Sequence, residues 1–417
     1  MQILTVVAAM VLFQAQDPKP EPPKPQGLVV ESGDWKIKFY GFLRLDMIYD
    51  DSKPNDPQVI QWVRSEDDTA PAAIGAEKGD AQFNMHPKLT RFGLDVNGPS
   101  IEALGGAKTS GKIEVDFFNS TTSESRAALR MRHAYLKLAW ESSALFAGQR
   151  EDVISPLFPV VNNDFVMWNA GNLGDRRPQL RFEYFPKVGY GTLNLQAMLG
   201  LTGANDAQNV ETPGVPGTVS TFDGVDSAMP TMQIRVSYKG GHLWMSGKTF
   251  ELGVWGHMAQ EELSENSAPL NGEDSWDSTA FGMDLTLPLF DGLDLQAEFW
   301  AGSNVDDVRG GIGQGVNVTA GDPDLGEEID SKGGWIQAGY QASGTWTVYL
   351  GYSFDDPDGG LPSSGARDKN SIIYFANRLK FGSVTFGADY LNWTTEWSGG
   401  FNDGTDNRFN LFAQYNF

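Results

Sequence analysis

Cysteine is absent from the 417-residue chain, which excludes a disulfide framework, zinc–thiolate sites and thiol nucleophiles. Histidine is scarce, at four residues, so acid–base chemistry has few imidazoles to draw on. Positive charge is outnumbered: 31 Lys and Arg stand against 54 Asp and Glu, a formal charge of −23. Nucleic acid is therefore not an expected partner, because a phosphate backbone needs a basic surface. No apolar run is long enough to cross a bilayer as a helix. The nearest, Ile3 to Phe13, has the length of a signal-peptide core. Residues 1–16 are read as an export signal, although no Lys or Arg precedes the run and no clean small-residue cleavage site follows. Residues 17–34 are read as a proline-rich periplasmic tether, extended over 17–27, DPKPEPPKPQG. What is plentiful points to sheet: 48 Gly, 25 Phe, 12 Trp and 12 Tyr with only 40% hydrophobic residues suit strands and tight turns. No composition break follows, so 35–417 is read as one β structure.

From Trp35 the chain repeats one pattern, about ten residues alternating apolar and polar before a turn. Ile37, Phe39, Leu43, Leu45 and Met47 oppose Lys36, Lys38, Arg44 and Asp46; Met232, Ile234, Val236 and Tyr238 oppose Gln233, Arg235 and Ser237. Period two over such lengths is a strand signal. Roughly sixteen runs are counted, near 35–50, 86–97, 109–119, 128–140, 143–150, 178–186, 189–202, 229–240, 242–260, 275–290, 292–303, 331–343, 345–355, 369–381, 383–397 and 405–417. Their connections alternate short and long. An even strand number with one short-turn end and one long-loop end predicts a transmembrane antiparallel β-barrel of the bacterial outer-membrane kind. Such a barrel faces outer-membrane lipid and lipopolysaccharide. The last run puts Phe409, Leu411, Ala413, Tyr415 and Phe417 on one face, resembling the C-terminal signal, centred on Phe417, that the barrel-assembly machinery recognises. Trp35, Tyr49, Trp140, Tyr184, Tyr238, Trp276, Trp393 and Trp397 are expected to form interfacial girdles.

The stretch 145–185, LFAGQREDVISPLFPVVNNDFVMWNAGNLGDRRPQLRFEYF, joins two runs by a loop of nearly thirty residues, and loops that long are usually functional or disordered. Val153, Ile154, Leu157, Phe158, Phe165 and Trp168 are apolar anchors within it, so residues 151–177 are read as folded inward. FYGFLRLDMIYD at 39–50, MRHAYLKL at 131–138, and FAGQ at 146–149 followed by RRPQLRFEY at 176–184 together resemble the DcaP-type porins. That resemblance covers about the first 200 residues. It implies a trimeric outer-membrane channel for small anionic solutes such as dicarboxylates, with a constriction loop at 151–177. It departs from the family where Arg150-Glu151-Asp152 replaces an aromatic after the Gln, and where the N-terminal segment is proline-rich.

If polar faces point inward, the lumen acquires a basic cluster of Lys38, Arg44, Arg91, Arg130, Arg132, Arg181 and Arg235, joined at the loop by Arg150, Arg176 and Arg177. Inward acids such as Glu251, Asp284, Asp294, Glu298 and Asp389 dominate the later strands. Opposite signs across a narrow lumen would orient solutes and favour carboxylates along the arginines, whose fork binds carboxylate bidentately. Equally, these arginines can pair with Asp46, Asp95, Glu114, Asp116 and Glu183 to rigidify the wall. Arg130 and Arg132 share parity with Leu136 and Leu138, so that strand is expected to bulge or to meet a neighbouring subunit.

The expected function is passive diffusion of small hydrophilic, preferably anionic, solutes. A general or cation-preferring porin and a sealed barrel with a binding or structural role stay open. A rim hydrolase is the enzymatic alternative, and it is disfavoured. His86 precedes a proline, His133 shares a face with Leu129, Met131 and Tyr135, His242 follows a Gly-Gly turn, and His257 ends a run; no nucleophile, zinc or nucleotide motif accompanies them. No cofactor is expected. The acidic loops (Glu66 to Asp68; Glu261, Glu262 and Glu265; Asp322 to Asp330; Asp355 to Asp358) leave calcium bridging open, without an EF-hand spacing.

Overall fold

The computed structural model describes residues 28–417 except 68, 72–73, 76–79, 120–124, 162–165, 206–222, 243–247 and 264–268. The expected export signal and the first part of the tether lie outside the described residues. Val29–Ser32 folds back through Gly33 (φ 56°) onto Trp35–Lys38, because Val29 and Val30 can pair there as a short strand.

The sixteen runs are sixteen barrel strands. They are β1 (Trp35–Asp50), β2 in two parts (Gln82–His86 and Arg91–Ile101), β3 (Ala107–Asn119), β4 (Ala128–Ala139) and β5 (Ser143–Glu151). Then come β6 (Arg176–Tyr184, prolonged by Lys187–Val188), β7 (Gly191–Gly200), β8 (Thr231–His242), β9 (Thr249–Glu262), β10 (Ser275–Phe290) and β11 (Leu293–Ser303). The last five are β12 (Asp330–Gln341), β13 (Trp346–Gly359), β14 (Arg367–Phe381), β15 (Val384–Trp397) and β16 (Gly404–Asn416). Each pairs antiparallel with the next, and β16 returns to β1 through rungs from Phe409↔Tyr49 to Asn416↔Phe42, which closes a 16-strand barrel. Closure matters because an open edge in hydrocarbon would leave backbone donors and acceptors unsatisfied.

Long connections cluster at one end: L1 (51–81), L2 (120–127), L3 (152–175), L4 (201–230), L5 (263–274), L6 (304–329), L7 (360–366) and L8 (398–403). The other end carries turns such as Glu102–Leu104, tighter than the 98–108 connection read from sequence. The Gly240-Gly241 pair is likewise not a turn; β8 continues through it to His242 with a local irregularity. Around the barrel the outward parity is apolar and exposed, as at Leu43, Leu45, Leu180, Phe182, Ile234, Phe281 and Ile373. The inward parity is polar and buried, as at Asp46, Gln179, Arg181, Gln233 and Arg235. Such a surface is stable only in lipid.

Two details decide where side chains point. In the β3–β4 ladder Glu114 pairs with His133 and Val115 with Met131, leaving Arg132 as an extra residue. That bulge resets parity. Arg130, Arg132 and His133 therefore all turn inward while Leu129, Met131 and Leu136 stay exposed outside, which corrects the placing of His133 on the apolar face. The girdle also needs correction. Trp35 and Tyr184 are exposed on the rim, but Trp276, Trp393 and Trp397 are buried inside the barrel. They lie on the polar parity of their strands, where an indole can cover lumenal loop backbone; Trp276 and Trp397 donate from Nε1 to Gly326 O at 2.7 Å and Val63 O at 3.1 Å.

Candidate functional site: the constriction

L3 leaves β5 at Glu151 and crosses the lumen rather than standing above it. Its backbone is held by the inward polar residues of the far wall. The Val153 and Val160 amides donate to Gln233 Oε1 and Gln337 Oε1, each at 2.8 Å. The Leu157 amide and Ser155 hydroxyl donate to Glu298 at 2.8 and 2.5 Å. On the return limb Trp300 donates to Gly171 O at 2.9 Å, and Asn370 to Asn169 O at 2.7 Å. Gly171 (φ 115°) passes so close to β12 that an added Cβ would sit 2.4 Å from Gly334 O. The apolar anchors complete the seat. Ile154 and Leu173 pack with Trp255, Ala280, Trp300, Val305 and Val308. Val161, Met167 and Ala170 join Ile60 and Val63 of L1 against Ile372, Tyr374, Leu391 and Trp393. Val153 and Trp168 are buried, whereas Phe158 is 44% exposed; Phe165 lies outside the described residues.

L3 therefore hugs the β8–β15 wall, and its free side faces β1–β7. There the arginines and acids expected from sequence interleave. Arg44 pairs with Asp46 at 3.0 Å, Arg91 and Arg132 with Glu114 at 3.4 and 3.0 Å, and Arg130 with Asp116 at 2.7 Å. Arg132 also reaches Asp116 at 2.9 Å, while Arg150 and Arg181 share Glu183 at 3.1 and 3.4 Å. Of the acids expected to act as partners, Asp95 instead holds Lys112, at 3.3 Å. Aromatic rings back the guanidiniums: Arg150 lies 4.0 Å from the Phe146 centroid and Arg44 4.0 Å from that of Phe412. Stacking of this kind fixes a guanidinium plane, and the N–H edges donate to Asp46 and Gln414 from Arg44 and to Glu183 from Arg150. A cavity of about 180 Å³ lies between L3 and this wall, lined by Arg150, Arg176, Arg181 and Arg235 together with Glu151, Asp152 and Asp175, and by Pro156, Phe158 and Trp168. A larger hollow of about 490 Å³ towards the short-turn end is lined by Lys239, Lys248, Asp294, Gln296 and Tyr349.

Several expected residues sit elsewhere. Lys38 is on the inward parity but exposed, beside the Val29 rung, so it belongs to the rim and not to the constriction. Arg177 is fully buried, bridging Asp152 of L3 and Asp307 of L6 at 2.7 Å each. It staples loops instead of lining the pore. Glu298 has no exposed surface, because L3 and the Trp335 indole cover it. Asp284 and Glu251 are taken up on their own wall by Arg235, at 2.6 and 3.0 Å. Glu251, Asp284 and Glu298 thus do not face the arginines across an open lumen, whereas Asp294 stays half-exposed at the larger hollow beside Lys248, at 3.5 Å.

Sequence reasoning missed two cations. Arg378 on β14 binds Asp389, donates to Val160 O of L3, and lies 5.0 Å from the Phe412 ring that Arg44 also faces. Arg309 of L6 pairs with Asp175 at 2.8 Å, and the Trp168 ring has Arg309 at 5.4 Å and Arg176 at 5.8 Å. For Arg378 the signal was its parity with inward Tyr374 and Ala376; for Arg309 there was none. His257 is also displaced from its expected strand end: it is buried within β9, beside Gln233 and Ser278. Among the described residues no three His, Asp or Glu side chains converge as a metal cluster.

Neither a protein-family model nor a curated protein sequence matches the chain. Solved structures do. The outer membrane channel DcaP of Acinetobacter baumannii superposes with a TM-score of 0.68 at 20% identity, covering 94% of this chain and 99% of that one. The anion-selective porin from Comamonas acidovorans gives 0.56 at 13% identity over 92% and 100%. Salmonella typhi OmpF, in complex with daunomycin, gives 0.54 at 13% over 94% and 100%. In fold, the chain is similar to these outer-membrane porins: a closed sixteen-stranded antiparallel barrel with an apolar outer face and an inward-folded third loop.

Proposed function

We propose that the protein is a trimeric outer-membrane porin that passes small hydrophilic solutes by diffusion and prefers anions. The observation that supports the preference is the charge on the free side of L3. Arg44, Arg91, Arg130, Arg132, Arg150 and Arg181 stand against Asp46, Glu114, Asp116, Glu151 and Glu183, six cations to five carboxylates. Arg176 at the cavity is paired with Asp175 at 3.3 Å and leaves that count unchanged. A carboxylate arriving there meets fixed N–H edges without having to order them. The trimer rests on the family resemblance and on the trimer form among the similar folds, that of Vibrio cholerae OmpT.

The surplus is small, and that keeps a second reading in view. Because every arginine of the wall already has a carboxylate partner, a general pore with weak selectivity fits the same charge count. The reversal potential across a planar bilayer under a salt gradient decides between them. We expect anion selectivity, reduced in a variant carrying Arg130→Gln and Arg150→Gln, two of the three wall arginines that retain about a quarter of their side-chain surface, the third being Arg91. Cation selectivity, or no change in the variant, would reject the anion preference. Absence of pores would reject the channel and leave the sealed barrel.

A further inference from the structure

We propose that the hollow below the constriction, towards the short-turn end, is a second solute subsite that takes hydroxyl-rich rings of monosaccharide size. Its volume of about 490 Å³ falls in the range of roughly 300–1,000 Å³ usual for small-molecule pockets. Three cross-strand rows of inward residues build it. Thr286, Gln296 and Gln337 form the upper row, Pro288, Asp294, Gly339 and Tyr349 the middle one, and Gln341 and Thr347 the lower.

Two observations carry the ligand class. The first is the seat of the Tyr349 ring. Gly339 stands opposite Tyr349 in the ladder, and an added Cβ there would lie 2.8 and 2.9 Å from the ring carbons Cε1 and Cδ1. The ring therefore folds sideways over the glycine and lies along the wall, with its open face turned to the hollow that Tyr349 lines. A fixed aromatic face in a polar lumen is a platform for the C–H face of a sugar ring.

The second observation is the state of the polar groups. Among the described residues, the Thr286, Thr347 and Tyr349 hydroxyls and the Gln341 amide have no hydrogen-bond partner. Gln337 accepts from the Val160 amide of L3 and the Tyr374 hydroxyl on Oε1, and donates from Nε2 to Gln296 Oε1 at 3.2 Å. That chain orients Gln296 and leaves its NH₂ to serve the hollow. Neutral donors and acceptors in fixed positions match sugar hydroxyls, each of which is both. Charge cancels here, since Lys239 pairs with Glu251 at 3.3 Å and Lys248 with Asp294 at 3.5 Å. Selection in this hollow is thus by hydroxyls, which goes beyond the anion preference of the arginine wall.

The test is saturation-transfer NMR of D-glucose with the full-length protein in lauryldimethylamine oxide micelles, a detergent without a sugar headgroup. We expect a saturable signal. Tyr349→Ala should weaken binding about tenfold, through lost stacking and a lost hydroxyl, and Gly339→Ala should do the same by lifting the ring from its seat. Tyr349→Phe should weaken it less than the alanine, and the variant carrying Arg130→Gln and Arg150→Gln should not alter it. Should the alanine variants fail to fold, the wild type still decides: permethylated glucose, which keeps the ring and loses its hydroxyl donors, should compete at least about tenfold less well than glucose. No saturable signal, binding unchanged by Tyr349→Ala and Gly339→Ala in folded protein, or equal competition by permethylated glucose would overturn the subsite. Its use by a passing solute rests on the channel reading, but binding in micelles needs no conduction, so failure of the bilayer assay and failure of the subsite are distinguishable.

Discussion

The two sides of the lumen are built differently. From β8 to β15 the inward residues that hold the loops are tryptophans, glutamines, an asparagine and a covered glutamate, whose partners are loop backbone and apolar anchors of L1, L3 and L6. Charges there include Arg235 with Glu251 and Asp284, and Arg378 with Asp389, which pair within that wall. From β1 to β6 the inward residues are arginines and carboxylates that satisfy one another. One wall holds a plug; the other keeps its charge near the solvent it faces. The side that sets the aperture is thus separate from the side that sets its charge, and each can be altered alone.

The largest effect is expected at the edge of the charged wall, where Arg177 of β6 ties two loops at once. Arg177→Met leaves Asp152 and Asp307 buried without their cation, and should destabilise the barrel by about 3–5 kcal/mol, read from guanidinium unfolding in micelles. If L3 then swings free, single-channel conductance rises as well. Trp300→Phe keeps most of the apolar contact but strands Gly171 O, and about 1–3 kcal/mol is expected by the same assay.

On the charged wall the order of effects should invert. Arg130→Gln leaves Asp116 with Arg132, so stability should fall by only about 1 kcal/mol while the reversal potential moves. Equal stability losses at Arg130 and Trp300 would erase the contrast between the walls.

The smallest effect concerns the rim. Hydrogen bonds to Asp322 from the Ser363 amide and hydroxyl, with help from the Asp324 amide and Asn317, hold its carboxyl down at about 2. A depressed carboxyl stabilises the L6–L7 contact above the usual aspartate range and loses that contribution as pH falls through about 2. The Ser363 amide NMR shift should titrate with a midpoint near 2, and a midpoint near 4 would mean that the contact does not form.

Strand number, loop asymmetry and the charged wall were legible because they are local: parity, turn residues and run length sit within one strand. The bulge was foreseen from the clash of Arg130 and Arg132 with Leu136 and Leu138, though not located. The inward tryptophans were misread because rim position was weighed above parity; Trp276 and Trp397 share faces with Ser278 and Thr395, which face inward. Glu298 and Arg177 were misassigned for another reason. Their partners, Leu157 and Asp307, lie 141 and 130 positions away, and no periodicity reports which polar residue a loop will cover.

The seam between β16 and β1 sets the timing of assembly. Its Arg408–Asp50 ion pair joins residues 358 positions apart and its rungs, from Phe409↔Tyr49 to Asn416↔Phe42, lie farther apart still, so the first strand must wait for the last. Until then both carry open edges and apolar faces, the combination most prone to aggregate. Cysteine-free, the chain has no covalent crosslink to hold a partly closed barrel together. Its productive lifetime before insertion therefore depends on how long something else can shield those edges.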